Sequence, residues 1–333
     1  VFPAGTVQID STPSDAEVWG QDGLLLGRTP LTLAEVHAGA GSWVLKKEGF
    51  LPHPLTGIVK TGEVLKLQGP MEAHPAVALY AKIQALMDNN DYANILAPCD
   101  ELLGMQDAPF AERAAAFVCR GTYKWINADN DGAIRDCSLV IDDERYPLVR
   151  RTEAYWQRGH ARSNLKDKDG AADDYKKAIT LSTNIIVDSS TKPELKVLAL
   201  SIRAGAKSNL GDNVGAIADY SSIIEMPGAR SVVVAWKLIN RGVEREKLGD
   251  NVGAVADCTE ALRLSITPRC RAVALCNRAM ARERLHQDGA DLIADYTEIV
   301  NLGVSVVDPD SLSLAYINRG FYRGKMGDCA GEI

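Results

Sequence analysis

The sequence has little of what membranes, nucleic acids or catalysis require. No apolar run in its 333 residues approaches the roughly 20 needed to span a bilayer. Basic residues are in deficit, 37 against 44 acidic ones for a net charge of −7, which opposes a nucleic-acid role because phosphate binding needs surplus cations on one face. The five histidines, His37, His53, His74, His160 and His286, lie in unrelated segments with no metal-ligand spacing. We therefore expect no metal, no cofactor and no catalytic centre. The motif set of a protein kinase is missing. The stretch Ala38-Gly39-Ala40-Gly41 lacks the strand, loop and Lys-Ser/Thr order of a phosphate cradle and reads as a turn. Seven cysteines, an odd number without tight spacing, argue against a disulfide framework and for a reducing compartment. The chain opens on Val1 with no signal-peptide pattern, so it is expected to be a piece of a longer product.

What is present falls into two regions. From Gly5 to about Leu67, short β-branched and aromatic runs alternate with turn residues: Thr6–Asp10, Glu17–Trp19, Ser42–Lys46 and Ile58–Lys60 are predicted strands. Between them lie Pro13-Ser14-Asp15, Gln21-Asp22-Gly23, Gly27-Arg28-Thr29-Pro30, Gly39-Ala40-Gly41 and Thr61-Gly62-Glu63, all rich in turn formers. The spacing predicts a small antiparallel sandwich.

The order Gly5-Thr-Val, Pro13-Ser14-Asp15-Ala16, Gly27-Arg-Thr-Pro30, a Gly-rich turn and Lys47-Glu-Gly49-Phe50 resembles the bacterial PEGA domain, although the name-giving tetrapeptide departs in its two middle residues. The resemblance implies a bacterial origin, an adaptor role without chemistry of its own, and possible exposure at the cell envelope.

From about Pro75 onward the chain repeats itself. A turn aspartate recurs at Asp91, Asp129, Asp167, Asp212, Asp250, Asp288 and Asp328, with steps of 38, 38, 45, 38, 38 and 40. Each unit reads as helix, tight turn, helix, with the aspartate placed to cap the second helix. A glycine recurs mid-helix, as at Gly159 and Gly242, where it costs roughly 1 kcal/mol against alanine, so close helix approach is expected, with Ala171 and Ala254 facing it. Prolines Pro109, Pro147, Pro193, Pro227, Pro268 and Pro309 precede the units, and a proline at the first helical position gives up no hydrogen bond. The long step before Asp212 reads as an extended surface connection through Ser182–Asn184 and Val187–Pro193. In the first unit Pro98 is expected to interrupt the second helix, and the last unit stops at Ile333. Cys99, Cys137 and Cys258 share one repeat position with Tyr175, Tyr220 and Tyr296, which marks them as core packing, not nucleophiles.

The pattern Arg-Gly, Asp, Ala, aromatic, Ala is similar to the tetratricopeptide repeat (TPR), stretched beyond its usual length, and the likeness covers about three quarters of the chain. The expected architecture is multidomain: a PEGA-like all-β sandwich over residues 1–70, then an all-α solenoid, a right-handed superhelix, over residues 74–333 with about six full units and a truncated last one.

Two sets of residues bear on function. Arg120, Arg158, Arg203, Arg241 and Arg278 in first helices stand sixteen or seventeen residues before Asp136, Asp174, Asp219, Asp257 and Asp295 in second helices. Equal numbers at constant separation predict a structural ion-pair ladder instead of a row of cations for an acidic ligand. By family analogy, Trp156, Gln157, His160, Trp236, Asn240, Asn277, Glu283, Asn318 and Phe321 line a concave surface that takes a protein or peptide partner, with asparagine suited to an extended backbone. The expected function is a non-catalytic protein-interaction scaffold or adaptor segment. The second reading is the sensory or regulatory region of a larger bacterial enzyme, such as a Ser/Thr kinase, whose catalytic domain lies outside this chain.

Overall fold

The structure, a computed structural model, describes residues 3–88, 92–264, 267–287, 289–307 and 309–327. Packing divides the chain into two compact units, residues 1–119 and 120–333. The turn positions Asp91, Asp288 and Asp328, and the chain end at Ile333, lie outside the described residues.

The first unit opens with seven strands: β1 (Ala4–Thr12), β2 (Glu17–Trp19), β3 (Leu25–Arg28), β4 (Leu31–His37), β5 (Gly39–Lys46), β6 (His53–Val59) and β7 (Val64–Pro70). They form two sheets, ordered β4-β1-β7 and β3-β2-β5-β6. Alternate residues of β1, β5 and β6 point inward, so Val7 and Ile9 of one sheet meet Val18, Trp43, Leu45, Leu55 and Val59 of the other. The expected all-antiparallel pairing holds except at one place: β1 and β7 run parallel over Thr6–Thr12 and Val64–Pro70. The two strands are adjacent in the sheet but first and last in sequence, so the five strands between them supply the crossover that a parallel pair needs.

Gly39-Ala40-Gly41, expected as a turn, instead begins β5 and pairs with Gly57–Val59. Gly41 lies under the Trp43 indole, where a Cβ would collide with the ring. Likewise Gly27 and Arg28 belong to β3, not to a turn. The residues that carried the PEGA resemblance converge around Thr29: its Oγ1 lies 2.7 Å from Ser11 Oγ and accepts the Ala16 amide at 2.9 Å. Lys47 Nζ donates to the carbonyl of Ser14 at 2.7 Å.

Among the described residues thirteen α-helices follow: α1 (Pro75–Asp88), α2 (Leu96–Gly104), α3 (Phe110–Ile126), α4 (Asn130–Ile141), α5 (Leu148–Asn164), α6 (Lys168–Val187), α7 (Pro193–Asn209), α8 (Asn213–Ile224), α9 (Ser231–Lys247), α10 (Asn251–Arg263), α11 (Pro268–Arg284), α12 (Gly289–Leu302) and α13 (Pro309–Lys325). Pro98 does not interrupt α2. It sits in the first turn, where its missing N–H has no intrahelical role. Prolines 193, 268 and 309 are first helical residues, but Pro147 is the residue before α5 and Pro227 lies in the turn before α9.

In the second unit each helix packs on the next from α4 to α13, and first helices also touch first helices, α5 with α7 and α9 with α11. Turn aspartates 129, 167, 212 and 250 each accept the amide of the glycine three residues on, at 2.8–3.0 Å. The extra residues of the long step lengthen α6 instead of the connection. Thr183 donates its hydroxyl to Ile179 O, Ser182 is fully buried, and Ile185 packs with Val149 and Ala199.

The mid-helix glycines approach the second helix as expected, with one difference in neighbour. A Cβ on Gly242 would stand 3.4 Å from the Ala254 carbonyl oxygen and 3.5 Å from Cys258 Sγ, whereas on Gly159 it would stand 2.6 Å from the Tyr175 ring. Tyr175 lies four positions beyond Ala171, one turn further along the second helix, and its ring fills the space in front of the glycine. Cys99, Cys137 and Cys258 are buried, and desolvation pushes the Cys137 and Cys258 thiols up to about 12, which removes thiolate chemistry.

Candidate protein-binding surface

The buried charges come first because they fix the first helices. In five successive repeats the ladder arginine grips its aspartate with two parallel bonds, Nη2 to Oδ1 at 2.5–2.8 Å and Nε to Oδ2 at 2.8–3.2 Å, from Arg120–Asp136 through Arg158–Asp174, Arg203–Asp219 and Arg241–Asp257 to Arg278–Asp295. All five carboxylates are almost wholly buried. The third nitrogen of four of these arginines reaches back to a hydroxyl on the preceding second helix, Ser138, Thr183, Ser221 or Thr259, at 2.9–3.4 Å. Each of these four guanidiniums therefore ties three helices, two within its repeat and one in the repeat before.

A second cation, one helical turn after each ladder arginine, went unnoticed in the sequence. Lys124, Arg162, Lys207, Arg245 and Arg282 bind the same aspartates at 2.6–2.9 Å. Their constant offset of four was the available signal.

With these arginines turned into the repeat, the residues flanking them face the first-helix side. Half-buried Trp156 packs its indole against Gly205 of the next first helix, where a Cβ would come within 2.7 Å. His160 stacks among Trp125, Trp156 and Tyr175 at centroid distances of 5.1, 4.9 and 5.7 Å. Desolvation in this nest pushes the imidazole down to about 4, and Asn209 Nδ2 approaches its Nδ1 at 3.3 Å and donates to Tyr175 at 2.9 Å. Trp156 and His160 are thus engaged in packing between repeats, because a large ring at this register can only be housed against a neighbour. Trp236 packs partly buried on the Ala235, Leu238 and Ile239 cluster, and the Gln157 Oε1 is buried without a partner.

The remaining expected residues gather toward the end of the array. Asn277, Glu283 and Asn318 line a cavity of about 290 Å³ between α11, α12 and α13. Tyr296 donates its hydroxyl to Glu283 at 2.7 Å, and Asn318 Nδ2 donates to Tyr296 at 3.0 Å and to Glu283 at 3.4 Å. Burial, then the Glu283 carboxylate, raises the Tyr296 phenol, so it stays a neutral donor. Phe321 stands 54% exposed beside Lys325, whose Nζ lies 4.6 Å over its ring. Asn240 bonds Tyr220 in the preceding repeat. Met280 and Arg269, also in the cavity wall, were not foreseen. Met280 stands two residues after its ladder arginine, the register of His160 and Phe321, and that alignment would have found it.

No group of three or more His, Cys, Asp or Glu among the described residues can hold a metal, and none of the described helices is long and apolar enough to cross a membrane.

The family profile described as the PEGA domain matches residues 4–74. No curated protein matches the chain. Among solved structures, a Rap protein complexed with Competence and Sporulation Factor aligns at a TM-score of 0.53 and 14% identity, covering 79% of this chain and 74% of that one. BtubC (BKLC) from P. vanneervenii aligns at 0.47 and 18% identity, covering 66% and 86%. A tetratricopeptide repeat protein from Parabacteroides merdae ATCC 43184 aligns at 0.41 and 14%, covering 77% and 89%. The chain therefore carries a PEGA domain at its front, and its helices have the fold of a TPR-type solenoid.

Proposed function

We propose that the chain is a non-catalytic interaction segment whose helical unit holds a protein or an extended peptide on the side formed by its first helices. The observation that carries this reading is the row Asn240, Asn277 and Asn318, which stand immediately before Arg241, Arg278 and Arg319, the last holding the same repeat position in α13. A carboxamide both donates and accepts, so three of them in one register can pair with a peptide backbone without demanding particular side chains. Asn240 and Asn318 are steadied by tyrosine hydroxyls, and a steadied group loses less rotamer entropy when a ligand arrives. The apolar cavity beside Asn277 and Asn318 supplies a place for a side chain of that peptide. The fold supports the reading by analogy, since the Rap protein with the same fold was solved with a bound factor.

The test is selection of a random peptide library on the full chain, followed by binding to the variant Asn240→Ala/Asn277→Ala/Asn318→Ala. Selected peptides are expected to lose at least tenfold in affinity on the triple variant while its thermal unfolding stays close to that of the parent. Peptides that bind both proteins equally would overturn the assignment of the surface.

A further inference from the structure

The cavity between α11, α12 and α13 has a charge at each end and a greasy middle. Its walls are largely aliphatic, including Val273, Ile299, Val307 and Leu314, with Met280 leaning over them 40% exposed. At the C-terminal end of α11 stands Glu283, whose hydrogen-bond partners Tyr296, Asn318 and Tyr322 are all neutral. No cation forms an ion pair with it among the described residues. The nearby cations are committed elsewhere: Arg282 binds Asp295, Arg284 binds Glu246, and Lys325 lies over the rings of Phe321 and Tyr322. At the opposite end of the same helix Arg269 lines the cavity, exposed, and no carboxylate among the described residues pairs with it.

An unneutralised carboxylate and an unneutralised guanidinium at the two ends of one apolar trough set both composition and direction for a ligand. Fourteen residues of helix separate them, about 21 Å at a rise of about 1.5 Å per residue. An extended peptide covers that span in about six residues at roughly 3.3 Å each.

Resting on the peptide-binding reading above, we propose that this trough selects an extended segment with a Lys or Arg at one end and an Asp or Glu about six residues away. Bulky aliphatic residues lie between them. The basic residue pairs with Glu283, the acidic residue with Arg269, and an aliphatic side chain fills the cavity under Met280.

The test is peptide selection repeated on the full chain and on Glu283→Gln, Glu283→Lys and Arg269→Gln. Heptapeptides selected by the parent are expected to carry a basic and an acidic residue five or six positions apart. They should lose about tenfold on Glu283→Gln, a variant that keeps the Tyr296 hydrogen bond and so the fold. Selection on Glu283→Lys should replace the basic residue by an acidic one. Peptides that depend on the three asparagines but show no such charge pattern, or are indifferent to Glu283→Gln and Arg269→Gln, would overturn this proposal and leave the surface assignment standing. Peptides indifferent to the asparagines as well would overturn both.

Discussion

Every buried aspartate of the ladder carries two cations, so its two partners are not equivalent in cost. Removing Asp257 leaves Arg241 without its carboxylate and Arg245 with only the longer contact to Asp250 at 3.7 Å, whereas removing Arg241 leaves Asp257 still neutralised by Arg245 at 2.9 Å. Asp257→Ala should therefore destabilise by about 3 kcal/mol and Arg241→Met by distinctly less, read from urea unfolding midpoints. A similar local exchange explains Gly205. Other first helices carry Thr122, His160, Val243, Met280 or Phe321 at that register, and only here does the preceding repeat place a tryptophan two residues before its ladder arginine. Gly205→Ala should cost about 1–3 kcal/mol against Trp156 and far less in a Trp156→Val background, a coupling that a double-mutant cycle measures. Lys237 breaks the pattern differently. It occupies the position held by buried Ala116, Ala154, Ala199, Ala274 and Ala315 in the other repeats, and desolvation pushes its amine from 10.5 down to about 8. Below pH 8 both states are protonated and the folded one carries a poorly hydrated ammonium; between about 8 and 10.5 the unfolded state holds more protons, so stability rises with pH. Lys237→Ala should stabilise the protein at pH 7 by about 1–3 kcal/mol, and the gain should vanish near pH 10.5. For His160 the ordinary value of 6.5 falls to about 4, so the unfolded state again binds more protons in between. Stability should be lost on acidification from about pH 6.5 to 4, and His160→Phe should flatten that loss.

Helix ends were legible because their chemistry is local. The capping aspartate, the glycine three residues on and the left-handed residue just before the aspartate can all be read from short spacings. That left-handed position holds Gly211 and Gly249 in two repeats but Ala128 at φ 64° and Lys166 at φ 65° in two others. Ala128→Gly and Lys166→Gly should each gain about 1 kcal/mol, since a Cβ is penalised there. The long α6 was misread because seven added residues look like a loop in a 38-residue frame. Seven residues turn a helix by about 700°, some 20° short of two full turns. Thr183 thereby takes the place that Ser138 and Ser221 hold elsewhere, and Arg203 still finds its hydroxyl. Strands β3 and β4 escaped notice for the opposite reason. Leu24, Leu25 and Leu26 are 61%, 51% and 37% exposed, and β4 buries no residue fully, so neither leaves a clean alternation. What the sequence could not display at the surface was who meets whom: Trp156 and His160 have the composition of anchors, and only their neighbours across the repeat reveal that they are packing.

At the scale of the whole molecule, a PEGA domain and a helical array share one chain, and the charge balance of the array is largely internal. The ladder occupies its arginines and aspartates, so the proposed ligand contacts fall to the asparagine register, the apolar trough and the two unneutralised ends at Glu283 and Arg269. On the proposed function the first-helix side is the working surface, and the second helices, which expose Val214 and Val252 at their starts, are the support. Photo-crosslinking tests this directly: p-benzoylphenylalanine is placed at Phe321 on a first helix, or at Val214 or Val252 on second helices, and a selected peptide is added. Labelling from Phe321 with none from Val214 or Val252 is the predicted result; labelling from the valines with none from Phe321 would contradict the account.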